Sequence, residues 1–154
     1  MQKITPMLWF DKEAEDAAKL YVSVFKDGAL GQVTRYGDNM PMPKGTAMTV
    51  SFTLFGQEYT ALNGGPIFKF TEALSLVVKC DTQAEIDDYW SRLTADGGKE
   101  SQCGWLKDKY GLSWQIVPRM LPELMKGGGG RVMGEIMKMK KLDIATLQRA
   151  AEAK

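Results

Sequence analysis

An internal repeat limits the folds open to this chain. A short apolar strand, an aspartate and an amphipathic helix occur at residues 3–25 and again at residues 74–95. Toward the end of each half, residues 55–59 parallel residues 110–114. The identities at one constant offset are Asp11, Ala14 and Glu15 against Asp81, Ala84 and Glu85. Because neither copy is large enough to bury a sheet alone, the repeat predicts two modules that share a core.

Hydrophobic periodicity gives both modules the order strand, helix and then two or three antiparallel strands. Apolar spacings of three and four predict a helix from Asp11, which stands at the expected N-cap, to a stop at Asp27-Gly28. In the second module, Thr82 and Glu85 have the spacing of a capping box. The predicted strands are residues 3–10, 31–36, 47–55, 58–62, 74–80, 101–106 and 112–117.

After Pro118 the pattern becomes helical. A short helix around Leu121–Met125 is expected to stop at the glycines 127–130, and helices are predicted at 131–140 and 143–153. The predicted organisation is a first βαβββ module at 1–66, a second at 67–118 and a C-terminal helical extension at 119–154, forming one structural domain overall.

The fold class is therefore α+β, with two paired βαβββ modules. This pairing is the arrangement of the vicinal-oxygen-chelate fold, in which curved sheets enclose a cleft. A ferredoxin-like α+β domain, also built from split βαβ units, is the alternative. That fold has fewer strands. It also explains less well why the strand–helix pattern begins again after Gly65.

Net charge and composition limit the classes of partner and the cellular compartment that are expected for this protein. The net charge is +1, from 20 basic and 19 acidic side chains, which gives no reason to expect nucleic acid or an anionic membrane. The first residues do not resemble a signal peptide, and no apolar run approaches the roughly 20 residues of a membrane helix. Cys80 and Cys103 are expected to be reduced thiols in a cytoplasmic protein.

The chain contains no histidine, which excludes whole classes of site. Serine–histidine and cysteine–histidine nucleophiles are impossible, as is any metal site that needs imidazole. The spacing of the two cysteines matches no zinc motif, while a carboxylate site for a hard cation stays open.

Several segments resemble the PhnB-like family of the vicinal-oxygen-chelate (glyoxalase/bleomycin resistance/dihydroxybiphenyl dioxygenase) superfamily, whose members often carry the label 3-demethylubiquinone-9 3-methyltransferase. They are ITPMLWFD (4–11), MTVSF (48–52), LNGGPIFKFTEA (62–73), CDTQ (80–83), QCGWLKD (102–108), GLSWQIVP (111–118) and MKMKKLDI (137–144). The resemblance spans nearly the whole chain. It implies the paired-module fold and a homodimer, but no particular reaction.

Metal enzymes of this superfamily take their ligands from inward positions on the first and last strands of each module. The repeat carries those positions to Ile4 or Thr5, Thr60, Leu74 or Ser75, and Gln115. None is a histidine or a carboxylate, so no metal and no cofactor are expected. Methyl transfer is also disfavoured, because the glycines 127–130 follow a predicted helix rather than a strand.

The candidate ligand-binding residues are aromatic and polar side chains of both modules: Trp9, Tyr59, Thr60, Asn63, Phe70, Trp105, Trp114 and Gln115. The aromatic side chains would line a cleft or else fill the core. Asn63 belongs to an Asn-Gly-Gly-Pro run that is a ligand loop or a hinge between modules. Thr60 and Gln115 are polar pocket groups or ordinary strand residues.

The sequence assigns no catalytic residue, although Cys103 and Glu72 are candidates. Cys103 is a reactive thiol or a buried inert one, and Glu72 is a general base only if it is desolvated. The main hypothesis is a metal-independent protein that binds a small organic molecule. The alternatives are a lyase, isomerase or dioxygenase-like enzyme with an atypical metal site, and a dimeric module that binds another protein.

Overall fold

The computed structural model describes residues 2–153. The chain divides into two compact units, Met1–Phe70 and Thr71–Lys154. The first unit contains β1 (Met7–Phe10), α1 (Ala14–Val24), β2 (Ala29–Arg35), β3 (Ala47–Leu54) and β4 (Gln57–Asn63). The second contains β5 (Ser75–Cys80), α2 (Gln83–Thr94), β6 (Lys99–Glu100), β7 (Trp105–Lys107), β8 (Ser113–Pro118), α3 (Leu121–Ile136) and α4 (Ile144–Glu152). The α+β class and the βαβββ order of each module are confirmed.

Each unit has one four-stranded mixed sheet, and the two sheets have the same strand order. The first runs β1-β4-β3-β2 and the second β5-β8-β7-β6. In each, the first strand pairs in parallel with the last, while the remaining neighbours are antiparallel. Met7 pairs with Thr60 in the first sheet, and Val77 pairs with Gln115 in the second. These pairs match under the same two offsets that the sequence repeat predicts, so the duplication holds at the level of strand register.

One face of each sheet is covered by the helix of its own unit. The buried residues of α1 are Ala14, Ala17, Ala18, Tyr21 and Val24, and those of α2 are Ile86, Tyr89, Trp90 and Leu93. On β3, Val50, Phe52 and Leu54 are buried on the helix-covered face, as the alternation predicts. The side chains between them point to the opposite face, which we call the open face of the sheet.

The N-terminus of α1 is not capped by Asp11, as the sequence suggested. The first helical residue, Ala14, donates its backbone N–H to Oδ1 of Asn63 at 2.8 Å. The same amide donates from Nδ2 to the carbonyl of Ala47 at 2.9 Å, and Asn63 is only 2% exposed. The cap therefore comes from the far end of β4, and it joins α1, β3 and β4. In α2, by contrast, the predicted Thr82–Glu85 capping box is confirmed.

The predicted strand at 101–106 is wrong in its first half. Cys103 and Gly104 take left-handed backbone angles, with φ of 61° and 85°, so the chain turns there and β7 begins only at Trp105. Gly104 is needed at this turn, because a Cβ atom would lie 3.1 Å from the side chain of Leu142. The two-residue strand β6, at Lys99–Glu100, precedes the turn and was not predicted.

The glycines 127–130 interrupt the helix, as the sequence predicts. Gly128 has non-helical backbone angles (φ −166°, ψ 46°), so α3 (Leu121–Ile136) consists of two helical segments that meet at a kink there. A Cβ atom on Gly128 would lie 3.1 Å from the carbonyl oxygen of Ala151, so glycine permits the close approach of α4. The predicted extension of the helix to Lys140 is wrong, since α3 ends four residues earlier.

The two C-terminal helices are tied to the start of α2. Gln83 accepts a hydrogen bond from the backbone N–H of Ile144, the first residue of α4, at 2.8 Å. Lys141 forms an ion pair with Asp87 at 2.8 Å. Val132, Ile136, Leu142 and Leu147 form the buried cluster beneath α3 and α4. Within residues 2–153, no helix has the length and apolar character that crossing a membrane requires.

We predict that Asn63→Ala destabilises the protein by about 2–4 kcal/mol, because it leaves the N–H of Ala14 and the carbonyl of Ala47 buried without their partner. The matched control is Gln57→Ala, at the exposed start of the same strand, which is expected to cost about 0.5 kcal/mol or less. Urea denaturation measures both. Equal stability of the two variants would contradict the structural role of Asn63.

Candidate functional site

A groove of about 270 Å³ lies on the open face of the second sheet. The residues that line it are Glu72, Lys99, Glu100, Ser101, Trp105, Leu106, Lys107 and Ser113. Strand register places its key side chains: Lys107 lies opposite Ser113 on β8 and opposite Lys99 on β6. Trp105 lies opposite Gln115. The pairing of three short strands thus collects aromatic, cationic and hydroxyl groups on one surface.

Trp105 differs from the other three tryptophans in its hydrogen bonding. Trp9 donates its indole N–H to the carbonyl of Gly65, and Trp114 donates to Asp108, both at 2.9 Å. Trp90 donates to Glu100 at 3.2 Å. For Trp105, no acceptor is found anywhere in residues 2–153, and the side chain is only half-buried. Its ring and its N–H are therefore available to a ligand.

The two lysines of the groove face each other across the β6–β7 pair. Like charges directly opposite one another destabilise a sheet unless an anion lies nearby. Glu72 supplies one negative charge through an ion pair with Lys107. The hydrogen bond from Lys107 holds the pKa of the Glu72 carboxyl below its ordinary value. Glu72 is exposed and ionised, so it lacks the desolvation that the general-base hypothesis required.

Ser113 carries an unsatisfied buried polar atom. The residue is 1% exposed, and its Oγ has no hydrogen-bond partner among the described residues. Leaving such a group unpaired costs roughly 1–3 kcal/mol. Ser113 also lines the groove. The one buried side-chain polar atom without a partner in the described chain therefore lies at this site.

The positions carried over from the metal enzymes offer neutral oxygens at most. Gln115 donates from Nε2 to the hydroxyl of Ser75 at 3.0 Å, and Thr60 lies on the other sheet. Neutral amide and hydroxyl oxygens are poor ligands for a divalent transition metal. In the part of the chain that the structure describes, no three cysteine or carboxylate side chains lie close enough together to hold a metal ion.

Within the second unit, the predicted ligand-binding residues are divided between the two faces of the sheet. Trp105 and Gln115 lie on the open face of the second sheet, and Trp105 lines the groove. Trp114 lies on the helix-covered face, 2% exposed, where Asp108 accepts its N–H and also bonds the backbone of the β7–β8 turn. A ligand-binding role for Trp114 would require that buried side chain to become accessible.

In the first unit the predicted residues are also divided between the faces. Tyr59 stacks on Phe52, and Phe70 packs edge-to-face on Phe10, so both belong to the helix-covered side. Burial raises the pKa of the Tyr59 hydroxyl. Trp9 and Thr60 point to the open face, by the alternation of β1 and β4. The amide of Asn63 is occupied by the helix cap described above.

A second pocket, of about 390 Å³, lies on the open face of the first sheet. It is lined by Ala29–Gln32, Ser51–Thr53 and Glu58, and by none of the predicted residues. Its serine is satisfied by the protein, because the Ser51 hydroxyl accepts from Gln32 N at 2.8 Å and donates to Gln32 O at 3.3 Å. This pocket offers fewer unpaired polar groups than the groove of the second unit.

Sequence reasoning missed Lys99, Lys107 and Ser113. The apolar alternation predicted a strand at 101–106 and therefore placed Lys107 in a turn. The actual β7 ends at Lys107, and its register places Lys107 opposite Ser113. The clue in the sequence was the glycine at position 104. A residue with left-handed backbone angles there turns the chain, so the strand begins several positions later than predicted.

Comparison with solved structures identifies the fold of this chain. Two successive βαβββ modules are the fold of the glyoxalase/bleomycin-resistance, or vicinal-oxygen-chelate, proteins. The fosfomycin resistance protein FosX from Listeria monocytogenes shares this fold, with a TM-score of 0.55, 13% identity, and coverage of 82% of this chain and 98% of that chain. Protein PA1353 from Pseudomonas aeruginosa does so with a TM-score of 0.62, 19% identity, and coverage of 77% and 98%.

Residues 2–117, well over half of the chain, match the family described as 3-demethylubiquinone-9 3-methyltransferase, and the chain belongs to that family. The PhnB protein from Bacillus cereus is 37% identical, with a TM-score of 0.69, over 75% of this chain and 99% of that one. The resemblance to the PhnB-like family is therefore confirmed. No protein with a curated description matches.

The two thiols differ in their surroundings. Cys80 is fully buried at the end of β5, and burial raises its pKa to about 12. Cys103 is half-buried in the turn before β7. With a pKa near 12, only about 1 in 10⁴ molecules carries the Cys80 thiolate at pH 8.

We therefore expect iodoacetamide at pH 8 to label Cys103 well before Cys80 in the native protein. Peptide mass spectrometry over time measures the two rates. The guanidinium-denatured protein is the control, in which both cysteines are expected to react at similar rates because unfolding exposes Cys80 and returns its pKa to the ordinary range. Equal rates in the native protein would show that Cys80 is accessible and ionised.

Proposed function

We propose that this protein binds a small organic molecule in the groove of the second sheet, and that binding requires no divalent metal. The observation that carries the proposal is Trp105, a half-buried aromatic side chain whose N–H lacks a protein partner within residues 2–153. Ligand sites are concave, with apolar walls and a few convergent polar groups. The groove combines one aromatic wall with Lys99, Lys107 and Ser113.

The volume of the groove supports a small ligand. Typical pockets for drug-sized molecules span about 300–1,000 Å³, and the groove of about 270 Å³ lies just below that range. A molecule with one ring, or a short aliphatic chain, matches this size. Trp105 would supply stacking area, while the polar groups at the opposite end would orient the ligand.

The chemistry of the available donors supports metal independence. The positions that hold metals in related enzymes carry Thr60, Ser75 and Gln115, with no imidazole or carboxylate. Of the two carboxylates that line the groove, Glu72 is paired with Lys107 and Glu100 accepts the indole N–H of Trp90. A ligand held by stacking and by lysine and tryptophan donors needs no metal ion as a bridge.

Catalysis has weaker support than binding. The hydrogen bond from Lys107 lowers the pKa of Glu72, which makes it a poor proton acceptor near neutral pH. Methyl transfer is disfavoured because the two mixed sheets lack the doubly wound parallel arrangement that holds S-adenosylmethionine in Rossmann-type enzymes. The run of glycines lies inside α3 rather than between a strand and a helix.

We predict that single-ring aromatic compounds stabilise the protein in a thermal-shift screen, with equal shifts before and after chelation by EDTA. Trp105→Ala is expected to lower the affinity of the resulting ligands at least about 10-fold in calorimetric titrations, because it removes the aromatic wall. The control is Trp9→Phe on the first sheet, which is expected to change affinity by less than about twofold.

Two results would count against this function. Affinity that disappears on chelation and returns with a divalent ion would support a metal-dependent site instead. Unchanged affinity in a folded Trp105→Ala protein would place the ligand elsewhere. Circular dichroism and melting temperatures establish that both variants are folded.

A further inference from the structure

We propose that the groove recognises a small oxyanion ligand, whose carboxylate or phosphate group is bound by Lys99 and Lys107 while its ring or chain lies against Trp105. This inference rests on the proposed function, and it adds the charge of the ligand and the residues that select it. Three independent features support it: the hydrogen-bond donors left unpaired, the buried hydroxyl of Ser113, and the carboxylate already held by Lys107.

The unpaired groups of the groove are mainly hydrogen-bond donors. Lys99 forms no ion pair with any side chain in residues 2–153, and the indole N–H of Trp105 has no acceptor there. Glu100 also lines the groove; one of its oxygens accepts the indole N–H of Trp90, and its carboxylate stays negatively charged, so an oxyanion would have to lie at the lysines and away from Glu100. A ligand rich in acceptors therefore matches what the protein leaves unsatisfied.

Ser113 places a further polar group at the same point. Its buried Oγ lies on the strand position directly opposite Lys107, and it lacks a partner. The hydroxyl exposes almost no area to solvent, so a ligand oxygen held by Lys107 would reach it only if the wall of the groove moved slightly. Binding would then satisfy the group, and this lowers the cost of keeping it buried.

Glu72 acts as an internal substitute for the ligand. It presents a carboxylate to Lys107 from an exposed segment just before β5. That pair shows that Lys107 can hold a carboxylate at the edge of the groove. It also means that an incoming oxyanion competes with Glu72, so removing the charge of Glu72 is expected to strengthen binding.

The decisive probes are benzoate and benzamide, which share size and shape but differ in charge, with phenyl phosphate as a second oxyanion. Calorimetric titration of the full chain at neutral pH and low salt is expected to give benzoate or phenyl phosphate at least about 10-fold higher affinity than benzamide. A charge-assisted hydrogen bond contributes enough for a factor of this size. The stronger of the two oxyanions identifies carboxylate or phosphate as the preferred group.

Charge-neutralising variants test the residues. Lys99→Gln and Lys107→Gln are each expected to weaken oxyanion binding about 5–10-fold and to leave benzamide unchanged. Glu72→Gln is expected to strengthen oxyanion binding several-fold, because Lys107 is released. The matched control is Lys79→Gln, on the same open face but outside the groove, which is expected to change affinity by less than about twofold.

The outcomes separate this inference from the proposed function. If benzamide binds as tightly as the oxyanions, and Trp105→Ala still weakens binding, the oxyanion preference is wrong while the groove remains the site. If Lys79→Gln weakens binding as much as Lys99→Gln, the effect is general surface charge and the inference fails. If the folded protein binds none of the three probes, both proposals are overturned.

Discussion

The parallel pairing of the first and last strand determines the rest of each module. Parallel strands cannot be joined by a tight turn, so the chain between them must cross over, and the helix fills that crossover. The helix then covers one face of the sheet, which leaves the other face open. In the first unit Asn63 reinforces this closure, because one amide at the end of β4 caps α1 and bonds to β3.

The two open faces have diverged although their registers agree. The first carries Ser51, Thr53 and Thr60, hydroxyl side chains that neighbouring strands partly satisfy. The positions that correspond in the second sheet are Trp105, Lys107 and Gln115. At these corresponding positions the second sheet carries an aromatic and a cationic side chain, where the first carries hydroxyl groups. This asymmetry is the physical reason for assigning ligand binding to the second sheet.

The sequence alone was sufficient to predict the two βαβββ modules and most of the strand and helix faces that are buried in the core. The alternation on β3 and the stripe on α1 predicted Phe52 and Tyr21 in the core, where both are found. It was insufficient in two situations. One is a side chain that bonds to a residue far away in the sequence, and the other is a residue whose left-handed backbone angles turn the chain. The cap of α1 comes from Asn63, far along the sequence, and a left-handed Cys103 displaced β7. Among the candidate site residues, periodicity did not distinguish Trp105 from the buried Trp114, because only strand register determines which face each one occupies.

The indole N–H groups of the four tryptophans provide the most direct test of the site. Each gives its own signal in a ¹H–¹⁵N correlation spectrum, and Trp105→Phe assigns the one of interest. Titration with benzoate in the presence of EDTA is expected to shift the Trp105 signal saturably. The signals of Trp9 and Trp114, hydrogen-bonded to Gly65 and Asp108, are expected to stay in place. A saturable shift confined to Trp9 or Trp114, or no shift of any indole signal, would contradict a ligand site at Trp105.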